Sequence, residues 1–259
     1  MRLLMIGDVV GRPGRRAVKA NLPGLAREFD LDLVIANGEN AAGGNGITRE
    51  VAQELFHSGV DVLTMGNHVW SKKDSHEYIN KERRIIRPAN YPPGAPGVGA
   101  GVFETRRKVK VAVINLSGRV FLPALDCPFR KIDEIIPRLK EETPVIVVDF
   151  HAEATSEKIA MGWYLAGRVS AVCGTHTHVQ TADEQILPGG TAYITDLGMT
   201  GPRDSVIGVK KELVISKFIS QLPVKFEVAA GLFQFNGVVI DIDGETGEAR
   251  EIRRIQNIE

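Results

Sequence analysis

Short apolar runs alternate with stretches in which apolar residues recur at helical spacing. Three runs of strand length open the chain, at residues 3–6, 33–36 and 60–65. Helical spacing separates them, and Thr48 is the predicted N-cap of the second helix. Because strands and helices alternate in this way, the pattern predicts parallel strands that are covered by helices.

The pattern continues in the second half of the chain. Residues 109–116, 145–150 and 169–173 predict three further buried strands, again with helical spacing between them. Residues 233–242 and 249–255 predict a closing hairpin. Since strands continue well past the first parallel half, they must form a second sheet.

We therefore predict an α/β fold, a four-layer αββα sandwich of two mixed sheets flanked by helices. The sequence contains no internal repeat, low-complexity tract or convincing linker. The prediction is a single domain over residues 1–259.

Composition narrows the classes of partner. Lys and Arg together number 32, as do Asp and Glu, so no global basic surface indicates stable nucleic-acid binding. No apolar run approaches membrane-spanning length, and the first run is too short for a signal peptide. Two cysteines without a recognisable framework suggest a reducing compartment. We predict a cytoplasmic protein with no membrane partner.

Polar side chains that can bind a metal follow five of the predicted strands. They are Asp8, Glu39 with Asn40, Asn67 with His68, His151, and His176 with His178. In open α/β sheets the carboxyl ends of the strands form the ligand-binding edge, so these residues can converge there. His176 and His178 are two residues apart just past the last of these strands, so we expect both side chains to point the same way, because successive strand side chains alternate faces.

This set of side chains predicts more than one metal ion. Without His68 it has two carboxylates, two amides and three imidazoles, too many for one tetrahedral zinc. The set fits two ions that share a bridging carboxylate, and N and O ligands without thiolate suit Mn, Fe, Mg or Zn. Each residue alone could be a turn or cap residue. Their recurrence at successive strand ends favours the metal site.

In their order, these motifs resemble the calcineurin-like metallophosphoesterases. The pattern of that superfamily is Asp-x-His, Gly-Asp, Gly-Asn-His, a lone His and Gly-His-x-His, each at a strand end. The counterparts in this chain are Gly7-Asp8-Val9-Val10, Gly38-Glu39-Asn40, Gly66-Asn67-His68, His151 and Gly174-Thr175-His176-Thr177-His178. Val10 replaces a histidine and Glu39 replaces the bridging aspartate. With the segment 195–202, these departures resemble the bacterial YmdB-type branch.

The resemblance implies a role for each residue. One ion would be held by Asp8, Glu39, Asn40 and His178, and the other by Glu39, Asn67, His151 and His176. His68 would not be a ligand; it would donate a proton to the leaving alkoxide or stabilise the transition state. Apart from the resemblance, Arg119, which follows Gly118, and Arg203, which follows Gly201-Pro202, are candidates for orienting the substrate. The expected cofactors are two ions, Fe or Mn, with Mg and Zn as alternatives.

The implied activity is that of a dinuclear metal-dependent phosphodiesterase, with in-line attack by a hydroxide that bridges the metals. Small phosphodiesters such as the 2′,3′-cyclic nucleotide 2′,3′-cAMP are the implied substrates. One alternative is a phosphomonoesterase or nucleotidase on the same metals, and Val10 is the only sequence hint against it. Another is a metal-binding regulatory protein that acts through a partner. A homo-oligomer remains an open alternative to a monomer.

Overall fold

The computed structural model describes residues 1–258. Within this range the helices are α1 (Gly11–Glu28), α2 (Arg49–His57), α3 (His76–Lys81), α4 (Pro128–Lys140), α5 (Thr155–Leu165) and α6 (Lys211–Ser220). The strands are β1 (Arg2–Ile6), β2 (Asp8–Val9), β3 (Leu33–Asn37), β4 (Val62–Thr64), β5 (Ile85–Ile86), β6 (Ala100–Glu104), β7 (Lys110–Ser117), β8 (Ile146–His151), β9 (Ala171–Thr175), β10 (Gln185–Leu187), β11 (Thr191–Ile194), β12 (Met199–Pro202), β13 (Phe233–Ile242) and β14 (Ala249–Ile258). None of the described helices is both long and apolar enough to cross a membrane.

The strands form two mixed sheets. The first has the order β2-β12-β13-β1-β3-β4-β5, with β14 beside β13. In this sheet β1, β3, β4 and β5 run parallel, and β13 is antiparallel to β1. The second has the order β10-β11-β9-β8-β7-β6, with β7, β8, β9 and β11 parallel. The prediction of two mixed sheets is confirmed.

Alternation along the strands builds the layers. In β1, Leu3 and Met5 enter the core between the two sheets, while Leu4 and Ile6 pack in the cluster that contains residues of α1 and α2. In β8, Val147 faces the first sheet, and its neighbours pack in the cluster that contains residues of α4 and α5. Because these strands are buried on both faces, they are largely apolar, and in β8 only Asp149 and the terminal His151 depart from the apolar run. The predicted αββα sandwich is therefore confirmed.

The core between the sheets joins distant parts of the chain. It contains Leu3 from β1, Val113 from β7 and Ile240 from β13. Separating the sheets would expose this shared apolar surface to water at a large cost in free energy. For this reason we propose that the chain forms one domain.

The local prediction at Thr48 is also confirmed. Its hydroxyl oxygen accepts a hydrogen bond from the backbone N–H of Val51 at 3.3 Å, at the first turn of α2. This bond satisfies one of the backbone donors that a helix start leaves without an internal partner. The helix then leads into β4, whose carboxyl end belongs to the candidate site.

Candidate metal centre

The carboxyl ends of the parallel strands meet at one edge of the sandwich. The two sheets are joined at this edge by Asp149 of β8, whose Oδ2 accepts hydrogen bonds from Asn37 Nδ2 at 3.1 Å and Thr64 Oγ1 at 2.5 Å. Asn37 ends β3 and Thr64 ends β4. This contact brings polar side chains from both sheets into a single cluster.

Three of the predicted ligands surround the ring of a fourth, His151, which ends β8. Its Nε2 atom lies 3.0 Å from Asn67 Oδ1, 3.0 Å from Glu39 Oε1 and 2.9 Å from His176 Nδ1. His151 and Glu39 are fully buried. Possible ligand atoms of Glu39, His151 and His176 all lie within 4.8 Å of one another. The structure thus brings together the whole set that the resemblance implied for the second ion.

The other predicted set lies beside the first. His178 Nε2 is 3.8 Å from Asp8 Oδ1 and 3.1 Å from the amide nitrogen of Asn40. That amide nitrogen also donates to Glu39 Oε1 at 3.4 Å. Only the carbonyl oxygen of an amide can bind a cation, so Asn40 would have to turn its amide group over to act as a ligand.

Two further observations fit a cation in this cluster. The buried Asp8 Oδ1 has no hydrogen-bond partner among the described residues, which is unusual for a buried oxygen. A Cβ atom added to Gly66 would lie 2.4 Å from both Glu39 Oε2 and His151 Nε2. Glycine therefore keeps free the space beside these two ligand atoms. Together with the oxygen and imidazole donors, this arrangement fits divalent metal ions.

The pKa values in the cluster show that it favours positive charge. Burial raises the pKa of Asp8 to about 6, against the lowering effect of His178 and His151. Burial acts in the same direction on Glu39, but the charge and hydrogen bond of His151 outweigh it and lower the Glu39 pKa to about 2. For His151, burial opposes the charged form, yet Glu39, Asp8 and Asp149 raise its pKa to about 9. The carboxylates thus stabilise a positive charge where a metal ion would supply one.

His151 and His178 each donate one ring N–H away from the cluster. Thr175 Oγ1 donates to Asp149 Oδ1 at 2.7 Å and lies 2.9 Å from His151 Nδ1, so it accepts from that nitrogen. His178 Nδ1 lies 2.8 Å from the carbonyl oxygen of Ile207, which can only accept. Each histidine therefore directs its Nε2 atom toward the cluster. In metal-bound histidines, a hydrogen bond from the other ring nitrogen orients the ring in the same way.

His176 directs its Nδ1 atom, rather than Nε2, toward the cluster. Its Nε2 atom lies 3.0 Å from Oε2 of Glu153, and its Nδ1 atom faces His151. Burial and the charge of His151 lower the pKa of His176 to about 3, so this imidazole is neutral, the form that binds metals. Sequence reasoning missed Glu153. Its position two residues after His151, at the same strand end, was the available signal.

The predicted reason for the convergence of His176 and His178 is wrong. Strand β9 ends at Thr175, so strand alternation does not extend to the two histidines. Instead His176 has φ 105° and His178 has φ 67°, both in the left-handed region that non-glycine residues rarely adopt. The two side chains reach the cluster because the backbone turns sharply between them.

A cleft of about 500 Å³ opens over the cluster. Its polar floor includes Glu39, Asn40, His68, Glu153, His176 and His178. Its apolar wall includes Val10, Val206, Ile207, Val209, Val214, Phe218, Phe226 and Val228. Sequence reasoning did not assign this wall, which comes mainly from the segment after β12. Lys217 also lines the cleft and places its Nζ atom 4.9 Å from the centre of the Phe226 ring.

His68 lies in the cleft without belonging to either ligand set. Its backbone N–H donates to Glu39 Oε2 at 2.9 Å, which fixes the residue beside the Glu39 carboxylate. Its ring Nδ1 atom is 3.4 Å from Ser71 Oγ, and Nε2 has no hydrogen-bond partner within residues 1–258. The side chain is therefore free to contact a molecule in the cleft.

The structure does not bring Arg119 and Arg203 to the cluster. The backbone N–H of Arg119 donates to the carboxylate of Glu157 at 3.0 Å, and its side chain lines a separate surface depression. The guanidinium of Arg203 pairs with the neighbouring Asp204 at 2.9 Å. Neither arginine is among the described residues that line the cleft.

The chain is similar to several known proteins over nearly its whole length. A protein from Bacillus subtilis (strain 168), named 2′,3′-cyclic-nucleotide 2′-phosphodiesterase, is 54% identical over 255 residues, which are 98% of this chain and 96% of that protein. A crystal structure of a hypothetical protein from Thermus thermophilus has a TM-score of 0.93 at 42% identity, with all of both chains covered. A crystal structure named as a novel phosphatase from Mycoplasma pneumoniae has a TM-score of 0.94 at 37% identity, covering all of this chain and 93% of the other. The model of the YmdB-like protein family matches residues 4–255, and the chain belongs to that family.

Proposed function

We propose that this chain is a metal-dependent phosphodiesterase that hydrolyses small phosphoric diesters, with 2′,3′-cyclic nucleotides such as 2′,3′-cAMP as substrates. The observation that carries the proposal is the pair of ligand sets that share Glu39 on the floor of one cleft. The name of the 54% identical Bacillus protein supports both the reaction class and the substrate class.

The proposed cofactors are two metal ions, Fe or Mn, with Mg and Zn as alternatives. Asp8, Glu39, Asn40 and His178 would hold one ion, and Glu39, Asn67, His151 and His176 the other. Glu39 is suited to the shared position because its Oε1 atom is within 3.4 Å of both Asn40 Nδ2 and His151 Nε2. When bound, two such ions activate a water molecule and offset the negative charge that develops on the phosphoryl group.

The residues of the chain supply the proton for the leaving group. In a 2′,3′-cyclic diester, an oxygen from water bonds to phosphorus as the bond from phosphorus to the 2′ oxygen breaks. The 2′ oxygen leaves as an alkoxide, which needs a proton to become a stable hydroxyl. We assign this proton to Nε2 of His68, because His68 lines the cleft and its Nδ1 atom is occupied by Ser71.

The shape of the cleft supports a nucleotide as the substrate. A volume of about 500 Å³ lies within the usual range for small-molecule sites. The polar floor would face the cyclic phosphate, and the apolar wall with Phe218 and Phe226 offers a surface for the flat base. Lys217 adds a positive charge for an anionic molecule.

Steady-state rates on three substrates test the proposal. With added Mn²⁺ we expect hydrolysis of 2′,3′-cAMP to 3′-AMP and of bis-p-nitrophenyl phosphate, and little hydrolysis of p-nitrophenyl phosphate. Activity should stop after metal removal with EDTA and return with Mn²⁺, because water activation depends on the ions. Faster hydrolysis of the monoester would indicate a phosphomonoesterase or nucleotidase. Bound metal with no hydrolysis of any of the three would indicate a regulatory protein.

Other expectations from the sequence stay predictions. They are the cytoplasmic location, the absence of nucleic-acid and membrane partners, and the oligomeric state. The proposed partner is a small phosphodiester, which the cleft is large enough to hold.

A further inference from the structure

One buried ion pair lies next to the cluster of predicted ligands and belongs to neither ligand set. Lys158 of α5 is 1% exposed, Asp196 is fully buried, and Lys158 Nζ donates to Asp196 Oδ2 at 2.6 Å. Asp196 belongs to the segment 195–202, part of the family resemblance, to which the proposed reaction gives no role. A buried ion pair is costly to desolvate, so its presence here needs an explanation.

Asp196 holds the residue that separates the two histidine ligands. Its Oδ2 atom accepts hydrogen bonds from both the backbone N–H of Thr177, at 3.0 Å, and the Thr177 hydroxyl, at 2.7 Å. Its Oδ1 atom accepts from the backbone N–H of Gly198 at 2.7 Å. A single carboxylate thus joins the segment after β11 to the middle of the His176-Thr177-His178 turn.

The turn needs such support because its backbone conformation is energetically unfavourable. His176 and His178 have φ angles of 105° and 67°, and non-glycine residues keep such angles only where the surrounding structure holds them. Backbone contacts flank the turn on both sides: Leu197 N–H donates to Gly174 O at 2.8 Å, and Met199 N–H donates to His178 O at 3.1 Å. Asp196 supplies the side-chain contact at the centre.

We propose that Asp196, fixed by Lys158, is a positioning residue that sets His176 and His178 in their ligand orientations together. The inference rests on the proposed function only through the assignment of these histidines to two metal ions. Because Thr177 connects the two, loosening its contact with Asp196 weakens the binding of both ions at once. The loss of a ligand on one ion alone would weaken mainly that ion.

Substitution of Thr177 tests the proposal without disturbing the ion pair. Thr177→Val removes the hydroxyl donor and keeps the shape of the side chain and the backbone N–H. We expect both Mn²⁺ ions to bind about 10- to 100-fold more weakly, as for other contacts that orient metal ligands. Titration with Mn²⁺ alone, followed by the electron paramagnetic resonance signal of the free ion, measures both affinities. Thr177→Ser keeps the hydroxyl, and we expect it to bind both Mn²⁺ ions like the unchanged protein.

Thr195→Val is the matched control. The Thr195 hydroxyl also donates to a carboxylate, that of Asp183, and Thr195 precedes Asp196 without contacting the histidines. We expect this variant to bind Mn²⁺ like the unchanged protein. The inference would be overturned if Thr177→Val bound Mn²⁺ like the unchanged protein or lost affinity for one ion only. It would also be overturned if Thr195→Val or Thr177→Ser lost as much affinity as Thr177→Val. Any of these results would leave the proposed function intact as long as the unchanged protein hydrolyses 2′,3′-cAMP.

Discussion

Replacing His68 with alanine is expected to lower kcat for 2′,3′-cAMP by about 10²- to 10⁴-fold, the usual contribution of a positioned general acid. The effect should be much smaller for bis-p-nitrophenyl phosphate, because p-nitrophenolate leaves without needing a proton. Metal content should stay unchanged, since only the backbone N–H of His68 contacts the shared carboxylate of Glu39. Steady-state kinetics on the two diesters, with metal analysis of the same samples, measure these effects.

His57→Ala is the control for this prediction. His57 is at the exposed end of α2, its ring contacts the Gln53 carbonyl oxygen at 2.7 Å, and it does not line the cleft. We expect its activity to match that of the unchanged protein. Full activity of His68→Ala on 2′,3′-cAMP would refute the proton-donor role. An equal loss on both diesters would assign His68 to stabilising the transition state instead.

Replacing Lys158 with methionine is expected to give the largest loss of stability. The change leaves the Asp196 carboxylate buried without its cation, and removing one partner of a buried ion pair costs about 3–5 kcal/mol. Urea unfolding of the metal-free protein measures this free energy. Mn²⁺ affinity should also fall, because Asp196 then holds Thr177 less firmly.

Two further variants separate burial from pairing. In Lys210–Glu227 the Nζ–Oε2 distance is also 2.6 Å, but both side chains are about half exposed, so Lys210→Met should change the unfolding midpoint little. The double variant Lys158→Met with Asp196→Leu removes both buried charges and should recover part of the stability. It should not recover Mn²⁺ affinity, since the Thr177 contact is lost. Recovery of both would show that Asp196 does not position the histidines.

The convergence of these side chains could be predicted because the strands that carry them are defined by local sequence, whereas their division into two ligand sets was implied by the family resemblance. A buried strand is recognisable as an apolar run, and in a parallel sheet its carboxyl end falls at the ligand-binding edge. Asp8, Glu39, Asn67 and His151 all follow or end such strands, and the structure brings them together. The same reasoning gave the two sheets and four layers.

The remaining parts of the site depend on tertiary contacts that the local sequence does not specify. Glu153 follows the end of β8 by two residues, but only the fold places its carboxylate 3.0 Å from His176. The apolar wall is formed mainly by residues from the segment 206–228, where Phe218 is 72% exposed and could not be told from a core residue by spacing alone. Arg119 and Arg203 were suggested by nearby glycines, but the backbone directs them elsewhere.

The histidine turn shows a prediction that reached the right residues for the wrong reason. Strand alternation would place His176 and His178 on one face, and they do meet the same cluster. Their left-handed backbone is instead held by Asp196, which is 18 residues beyond His178 in the chain. No periodicity in the sequence connects those two segments.

The central claim is that one cluster binds two metal ions through a shared Glu39. The most direct test is elemental analysis by mass spectrometry of the protein purified without added metal, beside Glu39→Gln prepared in the same way. We expect close to two ions per chain in the unchanged protein, as in other two-metal sites. Glu39→Gln should lose both, because one neutral amide oxygen cannot replace a bridging carboxylate. One ion or none in an active unchanged protein, or two ions retained by Glu39→Gln, would contradict the account.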